Sequence, residues 1–148
     1  MSVQARVLEL FLELQQRLQF ACLFITHDLA VVRSIADRVA VMYLGRLVEQ
    51  QRTEDLFTHP EHPYTQALLS AALVADPRVQ RTRRRTRLEG ELPDPSNPPA
   101  GCVFSTRCPS AVDVCHAEMP ELLPMADGGR VACHLVDTVP AQPVLPVH

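Results

Sequence analysis

The 148 residues predict an α/β domain followed by a small, irregular, cysteine-rich extension, and two patterns carry that prediction. The first is an order of helix, strand, helix and strand over the front half, as in an α/β domain. The second is the crowding of Cys102, Cys108, Cys115 and Cys133, four of the five cysteines, into 32 residues rich in proline and poor in apolar periodicity. A segment of that kind buries too little surface to hold its own shape, so it needs a covalent or metal staple.

In the front half, Val3, Val7, Leu10, Phe11, Leu14 and Leu18 recur at helical spacing, and residues 3–19 read as an amphipathic helix. Ala21-Cys22-Leu23-Phe24-Ile25 is an unbroken apolar run, the pattern of a strand buried on both faces of a parallel sheet. Cys22 then reads as a small core residue. Thr26-His27-Asp28 ends the run, and Asp28 is placed to cap a second helix, 29–37, whose apolar stripe is Leu29, Val32 and Ile35. The run from Val39 to Leu44 turns at Gly45 and returns as Arg46 to Gln50, a hairpin. Thr53-Glu54-Asp55 opens a short helix that stops before Pro60, and a further helix over about 63–73 carries Tyr64, Leu68 and Leu69. A helix-covered parallel sheet needs more than one buried strand and only one is encoded, so the domain reads as incomplete.

Beyond it the composition changes. All 14 basic residues are arginine, and six of them lie between Arg78 and Arg87 with no acid among them. That run has no aromatic neighbours and reads as a solvated linker. The rest of the chain carries 8 basic residues against 17 acidic ones, which argues against nucleic acid as a partner. Prolines from Pro93 to Pro99 exclude helix and central strand and make an extended arm. The expected organisation is therefore a domain over 1–76, an Arg- and Pro-rich linker over 77–99, the cysteine-rich extension over 100–135, and a disordered tail over 136–148.

Residues 1–30 show no charged segment leading into an apolar stretch and cleavage site, and no run reaches the ~18 apolar residues that a membrane-spanning helix needs. A cytoplasmic setting is expected, where grouped cysteines bind metal more often than they form disulfides. Spacings of five, six and seventeen intervening residues contain no Cys-x-x-Cys knuckle of the kind zinc sites usually show. Four thiolates are the usual ligand set of a four-iron four-sulfur (4Fe–4S) cluster. Spacing alone does not separate cluster from zinc, and disulfides or free thiols stay open. Of the histidines, His59 and His62 flank Pro60 and Pro63 and read as turn formers. His134 is placed either to donate to a cluster sulfur or to face water, and His116 reads as solvated.

His27 stands at the C-terminal end of the predicted strand, the edge at which open α/β sheets bind ligands. By itself a loop histidine there reads as a cap or a solvated group. However, Leu23-Phe24-Ile25-Thr26-His27-Asp28-Leu29 resembles the switch-histidine loop of ABC-transporter ATPases. The helix that begins Ser2-Val3-Gln4 looks like the one after their Walker B and D-loop segments, and Val41 to Glu49 is similar to the hairpin closing their nucleotide-binding fold. His62-Pro63-Tyr64-Thr65 with Leu68-Leu69, followed by the four cysteines, resembles the C-terminal extension of the oligopeptide/dipeptide importer subfamily. The resemblance runs from residue 2 to about 135.

That resemblance implies the C-terminal part of a P-loop ABC ATPase domain followed by the cysteine-rich extension. It implies that His27 is catalytic and cofactor-binding, touching the γ-phosphate and positioning the attacking water across a nucleotide-binding dimer. Cys102, Cys108, Cys115 and Cys133 match the positions that hold a 4Fe–4S cluster in some members of the subfamily, with zinc as the alternative. Implied partners are a second ATP-binding subunit and membrane permease subunits, on the inner face of the cell membrane, with no direct contact to the transported peptide. ATP and magnesium belong to the intact parent only. A phosphate-binding loop needs Gly-x-x-x-x-Gly-Lys-Ser/Thr, and here there is no lysine at all and no glycine before Gly45. The Leu-Ser-Gly-Gly-Gln signature and the strand ending in Asp-Glu are absent as well, so no ATP hydrolysis is expected from this chain alone. The competing reading is a free-standing metal-binding interaction module without a transport role.

Overall fold

The structure, a computed structural model, describes residues 3–71 and 93–138. The arginine run, the end of the predicted 63–73 helix and the last ten residues lie outside the described residues. The chain divides into two compact units, Met1–Ala36 and Asp37–His148.

The first unit holds two helices. Helix α1, Val3–Leu18, follows the predicted periodicity and ends where Gln19 turns to φ +53 and its N–H reaches the Gln15 carbonyl at 2.8 Å. Helix α2, Leu29–Ile35, is capped as predicted: Asp28 Oδ1 accepts the N–H groups of Ala30 (2.9 Å) and Val31 (3.2 Å). The Phe11 ring packs edge-on against Phe20 at 6.0 Å and lies 6.4 Å from Phe24, so the segment after α1 folds back onto it.

Between the helices the structure corrects the sequence reading. Residues 21–25 form no strand, Leu23 and Ile25 are 88% and 89% exposed, and Cys22 is an exposed free thiol rather than a core residue. A strand's N–H and C=O groups are satisfied only by a neighbouring strand, and among the described residues none pairs with this segment. Apolarity marks a surface to be covered without supplying its cover.

The second unit is built on strands β1, Arg38–Tyr43, and β2, Arg46–Arg52, joined through Leu44 (φ +45) and Gly45 (φ +76). Positive φ at both loop residues is the two-residue turn whose twist matches an antiparallel pair. The ladder slips between Val41 and Met42: Val41 pairs with Glu49 and Met42 with Leu47, which leaves Val48 as an extra residue on β2. At such a bulge two consecutive residues oppose one, and here consecutive Val48 and Glu49 are both buried.

After β2 come α3, Thr53–Thr58, and α4, Pro63–Ala71. The cysteine segment supplies a single 3-10 turn at Ser105–Arg107, helix α5 at Asp113–Ala117, and two short strands, β3 (Leu123–Pro124) and β4 (Arg130–Val131). Strand β4 pairs with β2, Glu49 opposite Val131, so the sheet order is β1-β2-β4-β3 and every pairing is antiparallel. Mixed helix and sheet is as predicted; the parallel sheet is not.

One core serves both the hairpin and the cysteine segment. Val41, Tyr43, Val48 and Leu56 pack with Cys102, Val103, Phe104 and Cys115. Phe104 is fully buried, with the Tyr43 and Tyr64 rings 5.3 and 5.4 Å away and 4.7 Å from each other. Among the described residues no helix is long and apolar enough to cross a membrane.

Candidate functional site

The cysteines are placed by short local bonds. Gly101 lies against α5 so closely that a Cβ there would collide with the Cys115 and His116 backbone. The next residue's N–H donates to the Cys115 carbonyl at 2.8 Å, which joins Cys102 to Cys115. The Ser105 N–H returns to the Cys102 carbonyl (2.9 Å) and the Ala111 N–H to that of Cys108 (3.2 Å), forming tight turns around both thiols. Cys133 arrives after seventeen intervening residues beyond Cys115, carried by β4.

The four thiols lie within electrostatic reach of one another. Burial is the main force pushing the Cys133 thiol above its ordinary range, and the charges that Cys102, Cys108 and Cys115 would carry push the same way. Burial likewise raises Cys102 and Cys108, with smaller contributions from the neighbouring thiols. Backbone N–H groups oppose it: those of Phe104 and Ser105 at Cys102, of Ser110 at Cys108 and of Leu135 at Cys133. All four are free thiols. Among the described residues no three His, Cys, Asp or Glu side chains stand in metal-holding geometry. The sequence-predicted residues are thus gathered into one neighbourhood without converging on a common point.

Beside them lies a polar network that sequence reasoning did not find. The Glu49 side chain is fully buried, and its carboxylate accepts three N–H bonds: from Gln51 Nε2 (2.6 Å), the Glu61 amide (2.8 Å) and the His62 amide (3.0 Å). A buried carboxylate without such donors would be costly. His62, 1% exposed, accepts the Tyr64 N–H on Nδ1 at 3.0 Å, so its ring proton sits on Nε2. Burial lowers its pKa to about 4, with the Ala132 backbone working against that shift. His62 does fix a turn, as expected. His134 is half-exposed, and its Nε2 lies 3.0 Å from the Glu118 carbonyl.

His27 belongs to the other unit. It is exposed, in a bend whose bonds are made by its neighbours, Thr26 Oγ1 accepting the Asp28 N–H at 3.0 Å. No cysteine of the cluster and no member of the Glu49 network lies in that unit.

Residues 48–115 match the family described as the oligopeptide/dipeptide transporter, C-terminal region. The match covers 68 of the 148 residues. It takes in most of β2, the Glu49–His62 network and three of the four clustered cysteines. Over 134 residues, 90% of its length, the chain is 58% identical to a peptide ABC transporter ATP-binding protein of Sinorhizobium fredii and 52% identical to an oligopeptide transport ATP-binding protein of Bacillus subtilis. It is 53% identical over 132 residues, 89% of its length, to a peptide import ATP-binding protein of Brucella ovis. The chain spans only 37% to 41% of these relatives' own lengths.

Proposed function

We propose that this chain supplies the rear part of the ATP-binding subunit of a peptide importer. Its two contributions would be His27, as the switch histidine toward the γ-phosphate, and a metal-stapled extension built on Cys102, Cys108, Cys115 and Cys133. The observation that carries the reading is the transporter C-terminal region at residues 48–115, within a chain 52% to 58% identical to peptide-transporter ATP-binding proteins. Partners on this reading are a second ATP-binding subunit and the membrane permease subunits, with the protein peripheral on the cytoplasmic face. The proposed boundaries are a nucleotide-binding portion over 1–76, a linker over 77–99, the extension over 100–135 and a tail over 136–148.

For the extension, the donor chemistry supports a metal. Four free thiols share one neighbourhood, and backbone N–H groups beside three of them favour the thiolate that a metal would bind. Four thiolates suit a 4Fe–4S cluster or zinc, and the match of these positions to those that hold a cluster in some members of the subfamily favours the cluster. The metal would supply cross-links between Cys102, Cys108, Cys115 and Cys133. Because the hairpin and the cysteines share a core, we assign it a structural role.

The test takes the assembled importer containing this chain. His27→Ala should lower ATP turnover about 10²- to 10⁴-fold, the range for losing a group that positions or deprotonates water, while ATP still binds. Turnover within twofold of the parent would overturn the assignment. The chain's visible spectrum decides the metal, since iron–sulfur centres are brown and zinc is colourless. The competing reading, a free-standing metal-binding module, draws on the core that residues beyond Asp37 possess by themselves. Purification of the chain with metal but without any ATP-binding or permease partner would favour it.

A further inference from the structure

The sheet of the second unit has a gap beside the start of β2. Strand β4 runs antiparallel to β2, with Arg130 opposite Gln50 and Val131 opposite Glu49, and the Ala132 N–H then donates to the Val48 carbonyl at 2.9 Å. There the cover of β2 ends, although β2 itself begins two residues earlier, at Arg46. Tyr43 and Arg46 pair across the two-residue turn, so alternation along the strand directs the N–H and C=O of Leu47 to the edge that β4 leaves open. On the far side of β4, Leu123 pairs with Val131, and the residues before it, Leu122 and Glu121, border the same gap.

The gap is an open cleft of about 610 Å³, the size of a small-ligand site. Residues 46–48 line one side, residues 119–122 the other, and Ala132 the end where β4 stops. Leu47, Met119 and Leu122 give it apolar surface, and opposite charges stand at its rim. Arg46 and Glu121 are both exposed, and among the described residues neither is in an ion pair. An occupant that continues the line of β4 runs antiparallel to β2, so it starts beside Ala132 and ends toward Arg46 and the turn. The register of β3 on β4 puts Glu121 one step past Ala132, at the starting end. The acid and the base thus stand in the order that a free amino terminus and a free carboxylate require.

We propose that this cleft binds a short linear peptide in extended conformation, with main-chain bonds to Leu47, its amino terminus toward Glu121 and its carboxylate toward Arg46. At about 3.4 Å per residue, roughly three residues fill the uncovered start of β2 and the turn beside it. Strand addition takes its affinity from main-chain bonds, so the cleft selects for length and free ends more than for sequence. Neither His27 nor a metal takes part, and a failed test here leaves the proposed function untouched.

The test titrates the full chain with the tripeptide Ala-Leu-Ala by calorimetry, alongside its C-terminal amide and its N-acetyl form. Each blocked form should bind about 10-fold more weakly, the worth of one hydrogen bond to a charged group. Arg46→Gln should weaken the free peptide by the same factor and erase the difference between acid and amide. Glu121→Gln should erase the difference between the free and acetylated forms. Hydrogen exchange, run on the same samples, should slow at the Leu47 amide when peptide is added. No binding at millimolar peptide, protection elsewhere than at Leu47, or an acid–amide difference that survives in Arg46→Gln would each overturn the proposal. A Leu47 amide already protected in the free chain would overturn it too, by showing the cleft filled by the chain itself or by a second copy.

Discussion

His62 shows how much a single side chain can encode when it is buried between two elements. In the folded chain its pKa lies at about 4, against the ordinary 6.5, because burial penalises the imidazolium. Between those values the unfolded chain binds a proton that the folded chain refuses, so stability rises with pH across the interval. The contribution is complete above pH 6.5 and is lost as pH falls through about 4. Each tenfold change in proton affinity is worth roughly 1.4 kcal/mol, which sets an upper bound of about 3 kcal/mol. Urea unfolding of the metal-free chain at pH 7 and pH 4.5 should thus show a larger drop in the parent than in His62→Gln, where nothing at position 62 titrates. Equal drops would mean that the imidazole is solvated. Glu49 is the complementary case, a carboxylate buried beside that histidine and satisfied by three N–H donors rather than by a cation. That arrangement fixes geometry without forming an ion pair.

At the scale of elements, the readable parts of the sequence are those whose cause is local. The α1 stripe, the Asp28 cap and the turn at Leu44-Gly45 each depend on residues a few positions apart, and each forms where the pattern places it. The strand expected at 21–25 does not form, because its apolar residues say nothing about which neighbour would pair with them. Glu49 escapes sequence reading for a different reason. Strand alternation would place it on the face opposite Val48, but the bulge lets both be buried, and a bulge leaves no periodic trace. The pairing of β2 with β4 joins residues some 80 positions apart through two-residue contacts, too short for any pattern to announce. The cysteines themselves are legible from spacing; the bonds that aim them are not. Gly101 is the sharpest test of the element packing, because the space beside it is filled by the backbone of α5. Gly101→Ala should destabilise the chain by about 1–3 kcal/mol, the usual cost of overpacking, and separate Cys102 from Cys115. Unfolding midpoints would register the first effect and faster alkylation of Cys102 and Cys115 the second. A variant as stable as the parent would show that α5 is free to move away.

For the molecule as a whole, the decisive feature is that the cysteine segment is not an appendage with a core of its own. Phe104, Val103, Cys102 and Cys115 complete the core begun by Val41, Tyr43, Val48 and Leu56, and β4 extends the same sheet. Metal binding in a small module is normally folding free energy, so an isolated module unfolds when its metal is withdrawn. Here the sheet and the aromatic cluster stay behind, and the response to metal loss should be graded. On the proposed metal reading the parts nearest the thiols, the Ser105–Arg107 turn and α5, should open first. Amides of β2 and the Ala132 N–H, held by the ladder and by the shared core, should remain protected. Hydrogen exchange on the metal-loaded and chelator-treated chain, or on the parent and Cys108→Ser, measures this directly. Faster exchange confined to 105–118 is the expected result. Exchange spreading through 46–52 would mean that the metal holds the whole unit together, and no change anywhere would leave the thiols without a structural metal.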